Sequence, residues 1–156
     1  MVRFGAHLTG SSHNGIGLRF PKADRVLVAD IRQAVSEWAT GKDTYVVLVT
    51  RGHSLDGECL LEIIDRPLAY IDMIGSRRRV QAVFDLLTEE QGIPRHKLDR
   101  VHAPIGLPIA AETPAEIALA IMAEIINAYR RGSVMSLADE RRQGQRNHPQ
   151  RVARRR

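Results

Sequence analysis

Tyr45-Val46-Val47-Leu48-Val49-Thr50, the stretch YVVLVT, is apolar up to its threonine and shows no alternation of apolar and polar residues. That pattern marks a strand buried on both faces, as in a parallel sheet covered by helices. Three other short stretches flank it: RVLVA at 25–29, LAYIDMI at 68–74 and LDRVHA at 98–103. Each is read as a strand, and a helical pattern follows each one.

The helices are read from their spacing and their ends. Asp30 can cap a helix in which Ile31, Val35 and Trp38 share a face and which Gly41 ends. A second helix is predicted from Asp56 to Asp65, with Leu60, Leu61 and Ile64 inward and Pro67 closing it. Gly75-Ser76 opens a third, carrying Val80, Val83, Phe84 and Leu87 on one stripe, and Gly92 and Pro94 stop it. Thr113-Pro114-Ala115-Glu116 is a capping box with proline at the first helical position. The helix behind it reaches about Arg130, with Ile117, Ile121 and Ile125 stacked beside Met122 and Ile126. So broad an apolar surface implies deep burial or a subunit contact. Four strand–helix units in succession predict an α/β fold: a parallel sheet flanked by helices in three layers.

The rest of the composition narrows the classes. The chain has 156 residues, about one domain's worth. No apolar run approaches the roughly 18–20 residues of a membrane span, and the N-terminus has no secretory pattern. A single cysteine, Cys59, in an apolar helical stretch, is expected to be an inert core thiol. These features predict a soluble, cytoplasmic protein without a membrane partner. Residues 1–132 carry equal numbers of acidic and basic residues, whereas 133–156 carry seven arginines against two acids. The net charge of +5 therefore belongs to the tail, which is expected to be disordered and to touch nucleic acid only weakly. Residues 1–20, rich in glycine, are read as irregular, 21–132 as the α/β body and 133–156 as the tail.

In parallel sheets, ligands bind where strand C-termini meet helix N-termini. The sharpest of these loops is Gly75-Ser76-Arg77-Arg78-Arg79. Gly75 permits close backbone approach, Ser76 can cap the helix, and the free N–H groups attract anions. Three arginines in a first turn oppose the helix dipole, which points to an anionic guest such as phosphate, or else to neighbouring carboxylates. The loop Thr50-Arg51-Gly52-His53-Ser54-Leu55-Asp56 places polar groups at the end of YVVLVT. Asp56 is either a helix cap or a ligand contact, and His53 either a surface histidine or a contact. His102 is either a hydrogen-bonded core residue or a functional one, and Glu112 either a site group or a charge near the dipole. The chain lacks a Gly-x-x-x-x-Gly-Lys-Ser/Thr loop, a Gly-x-Ser-x-Gly elbow and a strand-linked Gly-x-Gly-x-x-Gly fingerprint. The residues alone thus describe a ligand-binding α/β domain with no catalytic set and no metal site.

AYIDMIGSRRRV at 69–80 and DRVHAPIGLPIAAETPAEIALAIMAEII at 99–126 resemble the Rossmann-like C-terminal domain of the XdhC/CoxI family. LRFPKADRV at 18–26 and VVLVTRGHSLDGECLL at 46–61 resemble earlier blocks of that domain, so the likeness covers about residues 18–128. Three positions depart from the pattern. Asp72 stands where the family usually has glycine, and Pro108 and Ala110 replace an aspartate and a glycine. The family's glycine-rich first unit and its separate small N-terminal domain are not recognisable.

The resemblance implies an accessory protein that binds the molybdenum cofactor, promotes its sulfuration and delivers it to an apo molybdenum hydroxylase such as xanthine dehydrogenase or carbon monoxide dehydrogenase. Gly75, Ser76, Arg77, Arg78 and Arg79 would hold the phosphate end of molybdopterin. Thr50, Arg51, His53, Asp56, His102, Pro104, Gly106 and Glu112 would line the pterin side. A cysteine desulfurase is an implied partner, and a homo-oligomer is expected. The alternatives are a small NAD(P)-binding oxidoreductase-like domain and a non-catalytic interaction subunit.

Overall fold

The computed structural model describes residues 6–8, 23, 26–28, 30, 34, 41–50, 53–134 and 136. The chain divides into two compact units, Met1–Ile105 and Gly106–Arg156, so a boundary falls inside the 21–132 body. The first unit holds β1 (Ala6–Leu8), β2 (Val26–Val28), β3 (Tyr45–Leu48), α1 (His53–Ile63), β4 (Tyr70–Met73), α2 (Arg77–Glu89), α3 (Arg95–Leu98) and β5 (Val101–His102). The second holds α4 (Pro114–Arg130).

Every strand pair among the described residues is parallel. β1 pairs with β2, and a three-stranded sheet runs in the order β3-β4-β5. With helices following β3, β4 and β5, this is the expected α/β, Rossmann-like arrangement. The register sorts the strands into two faces. Val46, Leu48, Ile71, Met73 and Val101 meet Leu60 and Ile63 of α1 and Ile64 just after it, Val80, Val83, Phe84 and Leu87 of α2, and Leu98 of α3. Each fully buried leucine or isoleucine there contributes about 1.5–3 kcal/mol. Tyr45, Val47, Tyr70, Asp72 and His102 occupy the opposite face, with Tyr45 opposite Tyr70 and Asp72 opposite both Val47 and His102.

Several boundaries differ from the sequence reading, each for a local reason. YVVLVT is not buried on both faces, since Val47 and Val49 are exposed. The strand buried at all four positions is β4, whose aspartate broke its apolar run. Leu98 is not a strand residue. It closes the α3 turn after Pro94 and is fully buried, leaving Val101–His102 as the strand. Within the glycine-rich segment, read as irregular, Ala6–Leu8 forms a strand that pairs with β2. Of the helix expected after Asp30, Ala34 is helical and its N–H donates to Asp30 O at 2.9 Å. The tail lies outside the described residues apart from Ser133, Val134 and Ser136.

Arg100 ties the end of α1 to the approach of β5. Its guanidinium donates to the carbonyls of Ile64 (3.3 Å), Arg66 (3.4 Å) and Leu68 (3.0 Å). A cation there satisfies carbonyls left over at a helix C-terminus and opposes the negative end of the dipole.

Candidate functional site

The strand-to-helix connections after β3 and β4 form the core of the site. α1 opens at His53, three residues earlier than the apolar spacing suggested, so Asp56 is not its N-cap. Asp56 sits inside the first turn of α1 and is fully buried. Its Oδ1 accepts a hydrogen bond from the Thr50 hydroxyl, and its Oδ2 is paired with Arg79 Nη2. One carboxylate therefore joins the end of β3, the start of α1 and the first turn of α2. Isolating such a charge from water is costly unless it is paired and hydrogen-bonded, and both conditions are met here.

Ser76 is the N-cap of α2, as the sequence predicted: its backbone is extended and its Oγ accepts from Arg79 N at 3.3 Å. The three arginines behind it divide. Arg77 and Arg78 are exposed and form no ion pair among the described residues. Arg79 turns back toward α1, with its side chain 22% exposed and its Nε buried without a hydrogen-bond acceptor among the described residues. Gly75 does not have a positive φ. A Cβ there would lie 3.4–3.6 Å from the Cβ, Cγ and Cδ of Arg79. Arg79 thus lays its aliphatic stem along the backbone of the turn.

A second polar group lies on the face of the sheet that carries Tyr45, Val47 and His102. Asp72 is fully buried on β4 and its Oδ2 accepts from Tyr70 Oη at 2.5 Å. The Tyr70 ring lies between Tyr45, centroids 5.8 Å apart, and His102, 4.4 Å apart. His102 itself is exposed, so the core-histidine alternative does not hold for it. The sequence reading noted Asp72 only as a departure from the family pattern and passed over Tyr70. A charged residue in an apolar strand, with a hydroxyl two positions before it on the same face, was the signal available.

The remaining candidates are placed as follows. Pro104 is exposed and follows Ala103 through a cis peptide bond. Arg51 lies outside the described residues, and of His53 only the backbone, as the first residue of α1, is described. In the second unit, Gly106 N donates to Glu124 Oε2 at 2.6 Å, which makes Glu124 the ligand of this loop that the sequence reading missed. Glu112 is exposed and its N–H donates to Glu116 Oε2 at 2.9 Å. The capping box is complete: Thr113 N also reaches Glu116 Oε2, at 2.8 Å, and Thr113 Oγ1 accepts from Glu116 N at 3.3 Å. These backbone donors hold the Glu116 carboxyl below its ordinary pKa.

Cys59 is buried in the α1 core, and burial together with the nearby Asp56 charge pushes its thiol up to about 12. That disqualifies it as a nucleophile at neutral pH. Among the described residues no cluster of three or more His, Cys, Asp or Glu side chains could hold a metal ion. No helix among them is long and apolar enough to cross a membrane.

A family model for the XdhC Rossmann domain matches residues 11–125. This chain belongs to the XdhC Rossmann-domain family. The match to that family begins upstream of the motifs that carried the resemblance at 18–128. An Escherichia coli (strain K12) relative, uncharacterized protein YqeB, is 36% identical over 108 residues, which are 69% of this chain and 19% of that protein. A Bacillus subtilis (strain 168) relative, named as a probable subunit of xanthine dehydrogenase, is 30% identical over 116 residues, 74% of this chain and 33% of that one. A crystal structure described as a xanthine dehydrogenase from Bacillus halodurans superposes with a TM-score of 0.68 at 27% identity, covering 83% of this chain and 37% of that one. This XdhC-family chain therefore spans about a fifth to a third of the curated relatives it matches.

Proposed function

We propose that this XdhC-family domain is a carrier in the maturation of a molybdenum hydroxylase of the xanthine dehydrogenase type. Its cargo is the molybdenum cofactor, and the phosphate end of the molybdopterin sits at the turn 75–79. The observation that carries this reading is the Ser76-capped N-terminus of α2, which follows the buried central strand and bears two exposed arginines. Backbone donors at a helix start and a guanidinium with parallel N–H groups both suit phosphate oxygens. The xanthine dehydrogenase names of two relatives supply the target class. His102 and Pro104 are the pterin-side candidates. The partners on this reading are the apo-hydroxylase, a cysteine desulfurase and a second copy of the chain meeting it through α4, in the cytoplasm.

The test is to purify the chain from a molybdenum-replete host and measure pterin fluorescence after acid release. Pterin at near-stoichiometric amount, reduced in an Arg77→Gln, Arg78→Gln double variant, is the expected result. Absence of pterin from the wild-type chain, together with no binding of added molybdopterin, would remove this reading.

A further inference from the structure

The three arginines of the turn cannot share one job, because one of them is already committed. Arg79 Nη2 is paired with Asp56, whose carboxylate is 0% exposed and is held from its other oxygen by Thr50. A guanidinium that left this pair for a ligand would strand a buried, uncompensated charge. One charge-assisted contact to an anion at the surface does not offset that loss. The stem of Arg79 also packs at van der Waals distance along Gly75, the first residue of the turn. Arg77 and Arg78, by contrast, are exposed and unpaired among the described residues.

We infer that Arg79 is a positioning residue: tied to Asp56, it fixes the turn that presents Arg77 and Arg78 to the anion, and does not itself hold the anion. The inference rests on the anion-turn reading above and assigns the charge contacts within it. The electrostatics are consistent with this division. Near α2's positive end, Arg79 is neutralised by Asp56, so the net charge offered outward comes from the two residues that face solvent.

Positioning and contact make opposite predictions for Asp56. If Arg79 touched the anion, Asp56→Asn would free its guanidinium and tighten binding. If Arg79 positions the turn, Asp56→Asn loosens the turn and weakens binding. A loosened turn reduces the competent fraction by the same factor at every salt concentration, so the salt dependence of log Kd keeps its slope. Losing a charge that contacts the anion flattens that slope, because one screened attraction is gone.

The experiment is calorimetric titration of the full chain with inorganic pyrophosphate across a range of salt concentrations. At high salt, where the charge left unpaired in each single variant is screened, Asp56→Asn and Arg79→Gln are each expected to weaken binding about tenfold, and the double variant, which keeps the net charge, to weaken it no further and to keep the parent slope. Arg77→Gln and Arg78→Gln are expected to weaken binding and flatten the slope. Tighter binding by Asp56→Asn at high salt, or a slope flattened in the double variant as much as by Arg77→Gln, overturns the inference while leaving the anion turn standing. A wild-type chain that binds no pyrophosphate overturns the turn reading and this inference with it. Should Asp56→Asn fail to fold, the slope of the double variant, with its net charge unchanged, decides between the two roles alone.

Discussion

Tyr70 donates its hydroxyl to the Asp72 carboxylate at 2.5 Å, two residues along the same face of the central strand. β4 is buried at all four positions, so this carboxylate depends on donors supplied by the protein. Tyr70 is in turn held between the rings of Tyr45 and His102. Removing the hydroxyl while keeping the ring isolates the hydrogen bond from the packing. Tyr70→Phe is expected to lower the unfolding free energy by about 2 kcal/mol, read from the urea midpoint at unchanged slope. An unshifted midpoint would show that Asp72 is satisfied by its other contacts.

Gly75, read as a position of close backbone approach, and Gly106, a pterin-side candidate, differ in the structure. Gly106 has φ +94°, and a Cβ there would meet the Ala120 Cβ at 3.2 Å. Gly75 has no positive φ, and its added Cβ would touch only the flexible stem of Arg79 at 3.4 Å. Gly106→Ala is therefore expected to destabilise by about 2 kcal/mol, from backbone strain and crowding together. Gly75→Ala should stay within about 0.5 kcal/mol of the parent chain. Thermal unfolding of both variants checks the contrast, and equal losses would contradict it.

The parts of this fold that were legible in the sequence are those where one local signal acts alone. The Ser76 cap, the Thr113–Glu116 capping box and the stripe of Val80, Val83, Phe84 and Leu87 are of that kind, and each is where the spacing put it. What misled the reading came from tertiary placement. Val47 and Val49 look as buried as Leu48, because an edge position is not encoded in the residue that occupies it. Ala6–Leu8 is too short and too close to glycines to register as a strand, and parallel pairing with β2 supplies what propensity does not. In the site, charge and capping revealed the turn at 75–79. The pairing of Arg79 with a residue 23 positions away could not be read from either local segment.

Cys59 gives a pH dependence whose sign is fixed. Its thiol is pushed up to about 12 in the folded chain, chiefly by burial, against an unfolded value near 9. The raised pKa means that this group's contribution is fully present below pH 9 and is lost as pH rises toward 12. Unfolding midpoints should accordingly fall between about pH 9 and pH 11, less steeply in Cys59→Ala. Iodoacetamide at about pH 8 should label the unfolded chain and leave the native one unmodified. Rapid native labelling would show that the thiol is neither buried nor raised.

The exposed face of α4 is the surface on which association is expected. Leu119, Ile126 and Tyr129 are 63%, 55% and 52% exposed, and their spacing of seven and three residues keeps them on one side of the helix. Large apolar side chains that cluster on one face and stay in contact with water favour a covered state. A second copy offers the same apolar stripe, and a two-fold pairing of helices is self-complementary without requiring opposite charges. The broad apolar helix read from the sequence thus leads to a dimer expectation through its exposed half, while Ala120 and Ile125 are buried. Light scattering at tens of micromolar should give about twice the monomer mass of 17.4 kDa, relaxing toward the monomer on dilution. Ile126→Glu should shift the species to monomer without lowering the unfolding midpoint of the diluted chain, because the substituted side chain already faces solvent. A mass of 17.4 kDa at every concentration, for both the parent chain and Ile126→Glu, would end the dimer expectation.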